Sequence, residues 1–387
     1  MIQDALSTPP RWLIRLIWLA VALMILRNLL PPNAFTATVL VFDYEFGLVR
    51  RGLIGEIGGL YWGETVSKSE VFTASAVLTL LGIAALLAAL WRQLKTNLLT
   101  ALLFFLWVTS FAFASLIGAT GYLDSALILY VAFALFFNPT SPIGLLARAL
   151  AVILGLMSHE VMLPYFCIFF VFELWLTNAA RPFATRAALA ATPLIVGLIT
   201  FLGLTVVGQL SPDQAQAYIA HIEAKTEFTA EPEATVVMER TLGDNLAMMA
   251  EKRTMLDYKS WVVFDGLPLA ALSLWIGWLC LRLLGPAGGV TRVLLIGAIL
   301  APLSLNIIAF DVVRFGAISA LVGFLCAATI LTRRPEATNR LQALLTWPMV
   351  LVVLTLNLFV GVNQMNTGDG HEFAVPWVLI KHVTWFQ

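Results

Sequence analysis

"VFTASAVLTLLGIAALLAALW", residues 71–91, runs for 21 positions without a charged side chain. At ~1.5 Å per residue a helix of that length covers roughly 30 Å, the apolar thickness of a bilayer. Backbone groups there find no water, so such a segment satisfies its own hydrogen bonds as a helix. Working outward from it, comparable windows fall at 12–30, 97–118, 121–138, 143–160, 161–177, 187–208, 261–283, 291–310, 312–332 and 342–361. Composition agrees, with 60% apolar and only 12% charged residues and a mean hydropathy of +0.89. The expected fold is therefore all-α, a polytopic helical membrane protein of about eleven transmembrane helices in one transmembrane domain, 1–387. The first window follows Arg11 and Arg15, lacks a small-x-small cleavage site and continues into "PPNAF", so it reads as a retained transmembrane helix. Formal net charge is zero, which gives no global attraction to nucleic acid. Cys167, Cys280 and Cys326 all fall inside apolar windows and read as small core residues.

Basic residues set the orientation. With the N-terminus in the cytoplasm, that side receives Arg11, Arg15, Arg92, Lys95, Arg148, Arg181, Arg186, Arg282, Arg292, Arg333, Arg334 and Arg340, against only Asp4, Glu173 and Glu336. The other acids go to the outer face. Two outer segments are long. The first outer loop, 31–70, carries Leu53, Ile54, Ile57, Leu60 and Tyr61 at helical spacing, which predicts a surface helix. In the second, 209–260, "SPDQ" at 211–214 is a helix start with an N-cap, a proline and a capping-box glutamine. Leu242, Leu246, Met249 and Leu256 then mark the apolar face of another short helix. The outer tail, 362–387, is too short to cross, and Trp377 and Trp385 suit an interface.

Ionisable groups inside a membrane protein are costly unless they face a wet cavity or one another. Here they recur at one depth on the outer side. "VFDYEFGLVRRGLIGEIGG", residues 41–59, holds Asp43, Glu45, Arg50 and Arg51. Asp124 opens the fourth window, His159 and Glu160 lie at the turn after the fifth, and Asp311 and Arg314 begin the tenth. Each has an ordinary structural reading: arginines snorkelling to headgroups, a helix N-cap, a satisfied turn, an i, i+3 ion pair. Their shared side favours a convergent outer cavity. His221, His371, His382 and Glu372 read as solvated or interfacial. The chain shows no phosphate-binding glycine loop, Walker motif, nucleophile elbow or zinc-type cluster, and Gly52, Gly55, Gly58 and Gly59 suit close backbone packing or a wet loop better than a nucleotide cradle.

Outside the cytoplasm nucleotide sugars are absent, so an activated sugar arrives on a lipid. Transfer from a polyprenyl-phosphate-linked donor needs a carboxylate base, cations for the leaving phosphate and an apolar slot for the prenyl chain. Asp43 or Glu45 fits the base. Arg50, Arg51 and Arg314 fit donor phosphate binding. Asp124, His159, Glu160 and Asp311 fit sugar or acceptor binding.

The "FDYEFG" string at 42–47, with the "GYLD" carboxylate Asp124, resembles the GT-C superfamily of integral-membrane glycosyltransferases, of the kind associated with bacterial surface-polysaccharide assembly. That resemblance implies a catalytic carboxylate in the first outer loop, Asp43 first and Glu45 second. It also implies a glycan or lipid acceptor, a bacterial inner-membrane location and a site facing the periplasm. The absence of a Trp-Trp-Asp signature points to metal-independent, inverting transfer with no cofactor. A lipid-linked polysaccharide polymerase or ligase, a transporter or flippase, and an acyltransferase using His159 stay open as alternatives.

Overall fold

The computed structural model describes residues 8–63, 65–234, 236, 242–309 and 311–359. The outer tail and its tryptophans lie outside the described residues. Helices α1 (Arg11–Asn28), α2 (Ala34–Leu40), α3 (Gly52–Gly58), α4 (Lys68–Leu94), α5 (Leu98–Val108), α6 (Phe111–Gly118), α7 (Asp124–Leu135) and α8 (Pro142–Ser158) follow in order. A π-turn at Leu163–Cys167 leads into α9 (Ile168–Thr177), followed by α10 (Phe183–Val207), α11 (Pro212–Ala224), α12 (Leu242–Lys252) and α13 (Leu256–Trp261). A second π-turn, Val262–Gly266, opens α14 (Leu267–Leu284), and α15 (Gly289–Ser304), α16 (Val312–Arg333), α17 (Glu336–Leu344) and α18 (Trp347–Phe359) complete the described chain. Each π-turn has a proline nearby, Pro164 inside the first and Pro268 just after the second. A proline removes an N–H from the helical ladder, which accounts for the local widening.

The described chain is all-helical, with one isolated bridge between Val66 and Thr226. Five helices are long and apolar enough to cross a membrane, or seven if each of two bent pairs is one span. The bent pairs are α5 with α6, at 52°, and α17 with the described part of α18, at 74°. Asp124–Leu135, Pro142–Ser158 and Leu163–Thr177 are apolar but shorter. The architecture is that of a multi-pass membrane protein. Hydropathy windows number eleven because they run through turns: the 97–118 window, for example, breaks at Thr109–Ser110 between α5 and α6.

The helices gather in two compact units. One, the terminal unit, contains residues Met1–Leu29, Leu90–Gly118 and Ala250–Gln387. Its centre is α16, buried along nearly its whole length. Lipid gives no hydrophobic push between helices, so close approach of small residues has to bring them together. Gly316 and Gly323 do this for α16, since a Cβ at those positions would lie 2.5 Å from Leu269 and 2.8 Å from Ile276. Trp107 stacks on Phe324 at 4.8 Å. Polar groups add ties, with Ser319 Oγ donating to the Ile299 carbonyl at 2.6 Å and Asn357 Nδ2 to that of Leu106 at 2.9 Å. Cys280 and Cys326 are buried free thiols here, as Cys167 is in the other unit.

The central unit, Leu30–Ala89 and Ala119–Met249, has two parts. Helices α7 to α10 pack as neighbours. Among them Arg148 and Glu173 form a buried pair, with Nε to Oε2 at 2.7 Å and Nη2 to Oε1 at 2.5 Å. Both fall inside apolar windows, near the ends assigned to the cytoplasmic side, and the structure buries them: Arg148 is 0% and Glu173 4% exposed. Arg148 Nη1 also donates to the carbonyls of Ala134, Phe137 and Gly144, so it closes the end of α7 and the start of α8. The second part is a small core of Val39, Leu40, Phe42, Val49, Tyr218 and Ile222, built from the two long loops. A dry ion pair is coupled to itself more than to anything else. Replacing Arg148 alone with Met strands the Glu173 charge and is expected to cost about 3–5 kcal/mol. The double variant Arg148→Met, Glu173→Leu should melt higher than the single one in detergent. Equal melting temperatures would show that the charges are not coupled.

Candidate functional site

The site begins at the turn after α2. Asn33 caps that helix, accepting from the Thr36 N–H at 2.9 Å, and the chain leaves it at Val41 towards Asp43. Opposite stands α11, whose capping box forms as expected, Ser211 accepting from the Gln214 N–H at 3.3 Å and Gln214 from the Ser211 N–H at 3.0 Å. Starting a helix there puts Tyr218, His221 and Lys225 at i, i+3 and i+7 on one face. That face meets Asp43.

Tyr218 grips the backbone of Asp43 from both sides. Its hydroxyl accepts from the Asp43 N–H at 2.7 Å and donates to the Asp43 carbonyl at 2.9 Å. The carboxylate Oδ2 binds His221 Nε2 at 3.0 Å and forms an ion pair with Lys225 Nζ, while Oδ1 accepts from the Glu45 N–H at 3.3 Å. Phe46 flanks the His221 ring, with centroids 5.8 Å apart. Burial pushes the Asp43 carboxyl upward, but hydrogen bonds from His221 and Lys225 and the lysine's charge outweigh it, so the group lies below its ordinary value. Tyr218 is raised, first by burial and then by Asp43, which keeps it a neutral donor. The 31–70 and 209–260 segments are also joined by backbone bonds, Val66 N–H to the Lys225 carbonyl at 2.8 Å and Glu227 N–H to the Val66 carbonyl at 2.9 Å.

Helix α3 lies directly on the 42–44 turn. A Cβ at Gly55 would sit 2.0 Å from the Phe42 carbonyl, and one at Gly52 would sit 2.6 Å from the Tyr44 ring. The glycines are therefore close-packing positions, as their spacing suggested. Glu56 on this helix accepts from the Tyr44 N–H at 3.0 Å. Burial, then Glu56 and Tyr130, push the Tyr44 phenol up to about 12. Its hydroxyl is buried and makes no hydrogen bond among the described residues.

Arg51 precedes α3 with φ 67°, the one non-glycine positive φ among the described residues. Such a conformation costs about 1 kcal/mol or more and persists only when neighbours impose it. Its side chain is held by Glu160, with Nε to Oε2 at 3.1 Å and Nη2 paired to Oε1. Glu160 Oε2 also meets His159 Nδ1 at 3.1 Å, and the preceding Ser158 bonds Tyr130 at 3.2 Å. Arg50 differs from Arg51. Its Nε is buried without a hydrogen-bond partner, and no carboxylate pairs with it among the described residues.

The remaining expected residues are placed as follows. Asp124 is the first residue of α7 and is buried, in the turn where helix N–H groups favour negative charge. Glu45 is exposed. Asp311 and Arg314 belong to the terminal unit, where Nε and Oδ2 pair at 2.6 Å at the start of α16. The structure thus joins Asp43, Tyr44 and Glu56 in one network and Arg51, His159 and Glu160 in another within the same unit. His221, Lys225 and Tyr218 were not expected in the site; their shared helical face was the available signal. No family model, curated protein or solved structure matches the chain.

The Asp43 link has a definite pH signature. A carboxylate lowered on folding contributes stability that is complete above its ordinary value of 3.8 and is lost as pH falls through the folded value. The melting-temperature deficit of Asp43→Asn should therefore hold down to that region and shrink only in stronger acid. A deficit unchanged well below pH 3 would contradict the pairing.

Proposed function

We propose that this chain is a membrane glycosyltransferase, resembling the GT-C superfamily, that moves a sugar from a polyprenyl-phosphate-linked donor to a glycan or lipid acceptor. The observation that carries the reading is a pairing of opposites within one short turn. An anchored, ionised carboxylate, Asp43, lies seven residues from an arginine, Arg50, whose buried Nε has no partner among the described residues. Inverting transfer passes through an oxocarbenium-like sugar, and the attacking hydroxyl becomes strongly acidic as its bond to carbon forms. A carboxylate of low basicity, held in position, is then sufficient to take the proton. His221 and Lys225 keep Asp43 ionised and aimed.

Arg50 supplies the cation for the leaving phosphate, and the Tyr44 hydroxyl of the same turn is available as a neutral donor. Arg51 is committed through Nε and Nη2 to Glu160, so it positions the turn first and offers its other nitrogen to the phosphate second. Asp124, His159 and Glu160 are the acceptor-binding candidates of this unit. In the terminal unit, Asp311 is a further sugar or acceptor candidate and Arg314 a further donor-phosphate candidate. The reading further includes a bacterial inner membrane and an outward-facing site without metal or cofactor.

The test is release of undecaprenyl phosphate from an undecaprenyl-phosphate-linked hexose, radiolabelled and presented to the full chain in proteoliposomes. Asp43→Asn should lower kcat by about 100-fold or more with an unchanged melting profile at low pH. Arg50→Gln should raise the donor KM by roughly tenfold, the weight of a hydrogen bond to a charged group. Near-normal kcat in Asp43→Asn, or no turnover of the monophosphate donor alongside release of undecaprenyl pyrophosphate from a pyrophosphate-linked one, would overturn the assignment.

A further inference from the structure

The terminal unit contains a feature that the transferase reading does not use. Between the end of α14, the start of α15 and helix α17 lies a cavity of about 610 Å³. Arg282, Arg292 and Arg340 line it, and none of its lining side chains is acidic. Three guanidiniums sharing one cavity repel each other unless an anion or water separates them.

The cavity is built around one of the three. Arg340 Nη1 donates to the Leu283 carbonyl at 2.9 Å, satisfying one of the free carbonyls at the end of α14. Its guanidinium can lie there because residue 285 is glycine. Gly285 has φ +64°, and a Cβ on it would come within 2.1 Å of Arg340 Nη1. Arg282 and Arg292 are exposed, and their side chains make no hydrogen bond or ion pair with another described residue. Their donors are unused, in the planar fork geometry that matches phosphate oxygens.

The rest of the wall is apolar: Leu281, Ile296 and Leu344. Exposed apolar stripes lead away from it, Leu274 and Trp278 along α14, and Val293, Ile296 and Leu300 along α15. A free inorganic anion has no use for such stripes, whereas acyl chains do. The charge pattern assigns these arginines to the cytoplasmic side, where acidic lipids attract clustered bases.

We propose that this cavity binds the phosphate headgroup of an acidic phospholipid, its acyl chains lying along the exposed faces of α14 and α15. The ligand class is a phosphodiester lipid with net negative charge, and the site is separate from the Asp43 turn.

Native mass spectrometry on the full chain, supplied with dioleoylphosphatidylglycerol, dioleoylphosphatidylcholine or inorganic phosphate alone, tests the assignment. Phosphatidylglycerol should be retained in preference to phosphatidylcholine. The double variant R282Q/R292Q should weaken that retention by about 25-fold, roughly fivefold per arginine removed near an anionic interface. Its melting temperature in phosphatidylcholine should not change, because neither side chain bonds another described residue. Three results would overturn the proposal: no preference for the acidic lipid, equal retention by the double variant, or displacement of the lipid by millimolar inorganic phosphate.

Discussion

The carboxylate of Asp43 is the point on which the junction of the 31–70 and 209–260 segments depends. An acid so enclosed is unfavourable by itself, since partial burial removes the water that solvates its charge. His221 and Lys225 supply replacement partners from α11, and Tyr218 of the same helix holds the backbone on both sides of the acid. One interaction set therefore does two things. It keeps the acid ionised, and it ties the 31–70 segment to a helix more than 170 residues later in the chain. The small core beneath, with Phe42 and Tyr218 at 5.4 Å, packs against the partly exposed link.

Two arginine–glutamate pairs in the same unit show how burial separates structural from available charge. Arg148 and Glu173 are fully enclosed, and the arginine's remaining donors go to helix-end carbonyls, so nothing is left for a ligand. Arg51 and Glu160 form a second, less completely enclosed pair, and Arg51 is held in a left-handed backbone conformation. Next to it, Arg50 has a buried donor with no described partner. The spacing of two consecutive arginines thus gives one cation fixed by protein and one that is not. That asymmetry, and not the mere presence of two positive charges, is what suits the turn to an anionic group.

What was legible in the sequence was local. Apolar windows identify the helical membrane class because backbone satisfaction in lipid is a property of each segment alone. The "SPDQ" start of α11 is legible for the same reason: a capping box closes within four residues. The close-packing role of Gly52 and Gly55 also follows from their spacing on one short helix. Partner choice was not legible. Nothing near Arg51 names Glu160, 109 residues away, and nothing near Asp43 names Lys225. Arg148 reads from the sequence as a cytoplasmic-side base, because hydropathy registers its charge and not the carboxylate that neutralises it. His221 looked like a solvated loop histidine until its face with Tyr218 and Lys225 was set against Asp43. The number of crossings was also beyond the sequence, because a turn of two residues such as Thr109–Ser110 hardly alters a hydropathy average.

The central claim is that the turn from Phe42 to Arg51 presents a lipid-borne phosphate to Arg50 beside an ionised Asp43. An experimental structure of the full chain with undecaprenyl phosphate bound tests this most directly. The account places the phosphate within hydrogen-bonding reach of Arg50, with Asp43 still paired to Lys225 and facing the same space. A phosphate seated elsewhere, for instance among Arg282, Arg292 and Arg340, with the 42–51 turn empty, would contradict it.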